Sequence, residues 1–264
     1  ILAWRHRIVG QSILKGTPFE SMLMKEGIDH TSVEGASNLP YAIPNFRVEL
    51  TTTNPGVPVQ WWRSVGSTHT AFATEHFLDR LARMAGRDPL QFRLQMLKDQ
   101  PRHTAVLQLA AEKSGWGKPQ PKGVSLGLAV HESFNTCVAQ VAQIRRQNDG
   151  RFKVEKVFCA VDCGLAVNPD VVAAQMEGGI GYGLSPTLMS AVNLLDGKVV
   201  ESNFHDYKVA RMQDMPDVEV HILPSAKPPT GVGEPGTPVI APAVANALFA
   251  ATGKFSQRLP LELT

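Results

Sequence analysis

One carboxylate stands out in the stretch Gly231-Val-Gly-Glu-Pro-Gly236, where Glu234 lies among glycines and prolines. Glycine lets a backbone approach a neighbour by lacking a side chain, and proline fixes the conformation in which it does so. The spacing matches a dinucleotide-binding glycine loop, but that loop opens straight from a strand into a helix and expects an acidic residue about 20 positions on. Here Pro228-Pro229 separates the loop from VEVHIL, Pro235 sits inside it, and the residues that far beyond Gly236 are Phe255-Ser-Gln-Arg258. A nicotinamide site does not fit. Two readings of Glu234 stay open, a solvated side chain on a surface turn or a general base. The second draws on PVIAPAVANALFAATG, a small and apolar continuation at whose border a carboxylate would be desolvated and raised in pKa.

A second cluster is Gln175-Met-Glu-Gly-Gly-Ile-Gly-Tyr-Gly183, with four glycines in six positions. Each glycine costs a helix up to about 1 kcal/mol relative to alanine, so the run signals either tight helix packing or close approach of backbone to a ligand. Asn246, a lone amide on an alanine-rich segment, either binds a ligand or satisfies a backbone group. Arg63 in WWRSVG faces a reacting group or stacks on Trp61 or Trp62. His131-Glu132 and His205-Asp206 resemble acid/base pairs, but nothing places them near the glycine loop, and they are read as structural. Cys137, Cys159 and Cys163 lack the companion ligands of a closed zinc site and the spacing of an iron–sulfur run, so they are read as buried, unligated thiols. No metal ligand is assigned.

These residues need a scaffold. Residues 1–60 read as strands and loops, with HRIVGQSIL and FRVELTTT as the β-like runs. A helical segment at 61–120 follows. Thr68 or Thr70 caps a helix running to Ala85, Asp88-Pro89 opens a second to about Lys98, and a third runs from about His103 to Lys113. From 121 to 264 the pattern is α/β: strands at Val124–Val130, Cys137–Ile144 and FKVEKVFCAVD, then a helix started by Asn168-Pro169-Asp170. A hairpin at Asp196-Gly197, the strand VEVHIL and a last helix within Ala241–Thr252 complete it. The fold class is α/β (α+β), a mixed β-sheet packed with helices.

The 264 residues are 43% apolar and 19% charged, enough for one large or two ordinary domains. With 26 basic against 24 acidic residues and no long charge run, nucleic acid and anionic membrane are not expected partners. The uncharged stretches from Gly178 and Pro235 carry Gly, Ser, Asn and Pro where a membrane span needs Leu and Ile.

Seven segments in consistent order, WWRSVGSTHTAFATE, GRDPLQFR, AVHESFNT, AVDCGLAVNPDVVAAQMEGG, SNFHDY, PPTGVGEPGTP and APAVANALFAATG, resemble the molybdenum-binding subunit of the xanthine oxidase and aldehyde oxidoreductase family, in particular its isoquinoline 1-oxidoreductase branch. The resemblance implies hydroxylation of an N-heterocycle, or oxidation of an aldehyde, with water as the oxygen source and Glu234 as the base. It implies a molybdopterin cytosine dinucleotide held by Gln175, Gly178, Gly179 and Gly233, with Glu177, Ser133, Thr136 and Asn246 as further contacts, and Arg63 facing the substrate. Electrons would pass to [2Fe-2S] clusters on a small partner subunit. The family's further glycine loops, GGFGG and one containing Gly-Gln-Gly, have no counterpart here. The chain is therefore expected to be the C-terminal portion of a larger subunit, or to be completed by a second polypeptide, and to be inactive alone. Relatives suggest the periplasm, with the cytoplasm as the alternative compartment. The competing expectation is a non-catalytic interaction domain that keeps this fold.

Overall fold

In the computed structural model, which describes residues 1–263, the main elements are β1 (Trp4–Gln11), β2 (Phe46–Thr53), α1 (Val65–Met84), α2 (Pro89–Met96), α3 (Pro101–Ser114), β3 (Val124–Ser133), β4 (Thr136–Arg146), β5 (Phe152–Asp162), α4 (Pro169–Leu188), β6 (Asp217–Ile222) and α5 (Ile240–Thr252). The class is the expected mixed α/β. Strands β3, β4 and β5 form an antiparallel meander, and β6 adds parallel to β5, giving the order β6-β5-β4-β3. β1 and β2 pair in parallel as a separate two-stranded sheet.

Period-two alternation sorts the side chains of the main sheet onto two buried faces. Leu126, Leu128, Val130, Cys137, Ala139, Val141, Phe158 and Ala160 pack with the helices α1 to α3. Ala129, Val138, Ala142, Val157, Cys159 and Val161 pack with α4 and α5. Helix α5 lies directly on the backbone of β3, because an added Cβ at Gly127 would fall 2.0 Å from Ala247 N and 2.4 Å from Ala243 O.

Local chemistry explains two of the helix starts. Asp88 accepts from Gln91 N–H and Asn168 from Val171 N–H, each followed by proline at the first helical position. The start of α1 differs from expectation, since the helix begins at Val65 rather than behind Thr68 or Thr70. Ser64 precedes it at φ 70° and provides no side-chain cap. Thr68 instead reaches back to Arg63 O at 2.8 Å, and Thr70 is buried with its hydroxyl donating to Glu34 O at 2.7 Å. The glycine run of 178–183 continues as helix within α4, its propensity penalty outweighed by packing: an added Cβ at Gly179 would lie 3.2 Å from Gly236, and one at Gly183 2.6 Å from Ile240. The 196–197 hairpin joins strands of two residues each. No helix of the described residues is long and apolar enough to cross a membrane.

Candidate active site

Three segments distant in sequence meet at the N-terminal end of α1. From the glycine loop, Glu234 Oε2 accepts from Ser64 N–H at 2.7 Å, while Ser64 Oγ donates to Glu234 O at 2.8 Å. Arg63 Nε donates to Gly233 O at 2.9 Å, and its Nη2 donates to the same oxygen and, at 3.1 Å, to Gln175 Oε1 of α4. The Arg63 guanidinium carbon also lies 5.8 Å from the Tyr182 ring centroid, and Trp62 packs on Tyr182 at 4.8 Å between centroids. The glutamate thus forms two hydrogen bonds with Ser64, and the loop before it is clamped by a guanidinium.

The floor of the loop is equally fixed. Gln140, wholly buried on β4, donates to Gly236 O at 2.8 Å, and Thr237 N–H closes the turn onto Glu234 O at 2.9 Å. Gly236 packs tightly against α4, where an added Cβ would fall 3.0 Å from Met176 O. At its other end the loop is tied to the β3–β4 turn: Gly231 N–H donates to Phe134 O, and the hydroxyls of Thr230 and Thr136 lie 2.6 Å apart. Arg102 braces that turn by donating to Asn135 O and to the Asp162 carboxylate. Burial by itself would raise the Asp162 carboxyl, but Arg102 and the Gly164 N–H hold it below its ordinary value.

The rim above this floor is open. Glu177, Gly178 and Gly233 are exposed, and Gln175 and Glu234 are half-buried. A Cβ at Gly178 would meet nothing nearer than the Arg63 guanidinium at 3.8 Å. Beside the loop, the buried Ser133 Oγ has no hydrogen-bond partner among the described residues. An exposed ledge of glycine backbone beside a carboxamide suits a ligand rich in amide and oxyanion groups.

The family described as the molybdopterin cofactor-binding domain matches residues 73–216, more than half of the chain. The chain belongs to this molybdopterin cofactor-binding family. It is 35% identical to the isoquinoline 1-oxidoreductase subunit beta of Brevundimonas diminuta, over 99% of this chain and 34% of that protein. It is 34% identical to the membrane-bound aldehyde dehydrogenase [pyrroloquinoline-quinone] of Gluconacetobacter polyoxogenes, over 93% of this chain and 34% of that one. The chain therefore spans about a third of the length of the curated relatives it matches. Among solved structures, quinoline 2-oxidoreductase from Pseudomonas putida 86 shares the fold at a TM-score of 0.75 and 14% identity, covering 96% of this chain and 57% of that one.

Within this molybdopterin-binding fold the residues singled out from the sequence fall into two groups. Glu234, Gly233, Gln175, Gly178 and Arg63 share one rim, with Glu177 exposed beside them. Gly179, Ser133, Thr136 and Asn246 lie inside the protein. Gly179 packs against Gly236, and Thr136 bonds Thr230. Asn246 is fully buried, its Nδ2 donating to Leu128 O and its Oδ1 2.7 Å from His76 Nδ1. Arg63 stacks on neither tryptophan; its aromatic neighbour is Tyr182.

Sequence reasoning missed Ser64, Gln140 and Glu34. A glutamine in the apolar run TCVAQVAQI was a signal for Gln140, since a buried amide needs a partner. Ser64 and Glu34 offered no periodic signal. Elsewhere, His103, Glu132 and Cys137 bring ligand-type atoms within 4.8 Å of one another, but Arg102 Nη1 lies 4.0 Å from Glu132 and disfavours a cation there. Burial and the Glu132 charge push the Cys137 thiol far above its ordinary range. His205 and Asp206 sit on an exposed turn in which Asp206 accepts from Ser202 and Asn203 N–H groups.

Proposed function

We propose that this chain is the catalytic-base portion of a molybdenum hydroxylase, one that hydroxylates an N-heterocycle of the isoquinoline type or oxidises an aldehyde, with water as the oxygen source. The observation that carries the reading is the bonding of Glu234 to Ser64 at an open rim, beside the Arg63 clamp on Gly233 and Gln175. The exposed glycine ledge at Gly178 and Gly233 and the Gln175 amide fit the pterin edge and phosphates of a molybdopterin dinucleotide, of which the cytosine form is the proposed one. Bound there, the cofactor supplies the two-electron redox chemistry.

The chain's own contribution is positional and acid/base. The Glu234 Oε1 atom, left free of the Ser64 bond, takes a proton from the water-derived nucleophile, and the 2.7 Å bond from Ser64 N–H to Oε2 helps to orient the carboxylate. Arg63 holds Gly233 and Gln175 in register, and its remaining N–H groups stand at the rim where negative charge develops on the substrate. The rest of the large subunit, or a second chain, completes the site. Electrons leave to [2Fe-2S] clusters of a small subunit, and the assembled complex is placed in the periplasm, with the cytoplasm as the alternative.

Turnover of isoquinoline by the complete complex in heavy-oxygen water tests the reaction class. The hydroxylated product should carry the heavy label. Label arriving from molecular oxygen instead would overturn the reading.

A further inference from the structure

The turn that presents Ser64 N–H to Glu234 is a strained one. Ser64 and Val65 take φ values of 70° and 48°, the left-handed region, in succession. For a β-branched residue this is an outlier that persists where surrounding contacts over-determine it. Two carboxylates provide such contacts. Glu234 takes the Ser64 N–H, and Glu34, from a loop 30 residues earlier in the chain, takes the Gly66 N–H with Oε1 at 2.7 Å.

Glu34 is itself held against the first two turns of α1. Its carbonyl accepts from Thr70 Oγ1 at 2.7 Å. An added Cβ at Gly66 would fall 1.9 Å from Thr31 O and 3.0 Å from Glu34 Cγ, so glycine is what lets the two segments touch. Next to Glu34, Gly35 faces Thr70 and the buried His131 ring, where a Cβ would come within 2.6 Å of either. Burial raises the Glu34 carboxyl, the Gly66 and Ser67 N–H groups pull it back, and the charges of Glu234 and Asp29 raise it again.

We propose that Glu34 is a positioning residue for Glu234: by holding the Gly66 N–H it locks the strained Ser64–Val65 turn in the conformation that aims Ser64 N–H at the Glu234 carboxylate. The inference rests on the reading of Glu234 as the base for its effect on turnover, but its structural half stands on the turn alone.

The test compares Glu34→Ala with Glu34→Gln, which keeps an oxygen able to accept from Gly66, in the assembled holoenzyme. Hydrogen exchange of the peptide covering residues 62–67 is expected to be several-fold faster in Glu34→Ala and close to wild type in Glu34→Gln, with the rest of the chain unchanged. In the same preparations kcat of Glu34→Ala is expected to fall at least about tenfold with KM little altered, and Glu34→Gln to restore it. Wild-type exchange at 62–67 in Glu34→Ala overturns the proposal, as does loss of turnover in Glu34→Gln equal to that in Glu34→Ala. Should Glu34→Ala not assemble, Glu34→Asp, whose carboxylate is one methylene short of Gly66, takes its place with the same expected losses, and wild-type behaviour there overturns it equally. Accelerated exchange with turnover that is also insensitive to Glu34→Ala and to Glu234→Gln would sink the base reading while leaving the positioning of the turn intact.

Discussion

At the scale of single residues, His131 shows how burial of a titratable side chain ties stability to pH. It is buried on β3 against Gly35, its Nε2 has no partner among the described residues, and burial pushes its pKa down to about 4. The unfolded value lies near 6.5, so between the two the unfolded chain binds the extra proton and the folded chain does not. Stability is therefore complete above about pH 6.5 and falls as pH drops toward 4, by at most about 1.4 kcal/mol per pH unit from this residue. Denaturant midpoints measured across that range are expected to fall less steeply in His131→Gln than in wild type; parallel slopes would remove the assignment. The sequence showed His131 beside Glu132 and read the pair as structural. It could not show that Glu132 turns to His103 and Cys137 instead, because facing is decided by the sheet's alternation and by what packs on each side. Glu234 was legible as a carboxylate among backbone-permissive residues. Ser64, its partner 170 residues earlier, was not, since nothing local marks a long-range backbone donor.

At the scale of elements, the helix starts at Asp88 and Asn168 were readable because a cap and a first-position proline are local chemistry. The start of α1 was not, because Ser64 and Val65 are held left-handed by contacts from residues 34 and 234, which override the nearby threonines. The glycine run of α4 was read as either packing or ligand approach, and its positions differ along one helix: Gly179 packs on the loop while Gly178 is open. Backbone contact between elements also sets the tolerance of β3. In Gly127→Ala the new Cβ meets main-chain atoms of α5, which cannot swing aside as a flexible side chain would. A loss of about 1–3 kcal/mol or more in unfolding free energy is expected. Gly10→Ala, with nothing within 4 Å of the added carbon, is the control expected to keep its midpoint. Equal effects at the two sites would contradict the packing of α5 on β3.

At the scale of the whole molecule, a sheet covered on both faces brings residues 63, 175 and 234 to one rim. The sequence carried the ingredients of that rim as separate motifs and their family as an ordered set. Their convergence is a property of the tertiary fold, in which α1, α4 and the 231–236 loop meet beyond the reach of any periodic pattern. The rim is open to solvent, and the chain spans about a third of the length of the relatives it matches. The central claim is that the carboxylate at this rim is the base. The most direct test is the rate at which substrate reduces the assembled complex in a single turnover, wild type against Glu234→Gln, with molybdenum content measured in both. The account requires unchanged molybdenum and a reduction rate lower by at least about a hundredfold. A Glu234→Gln complex that keeps its molybdenum and is reduced at the wild-type rate would contradict it.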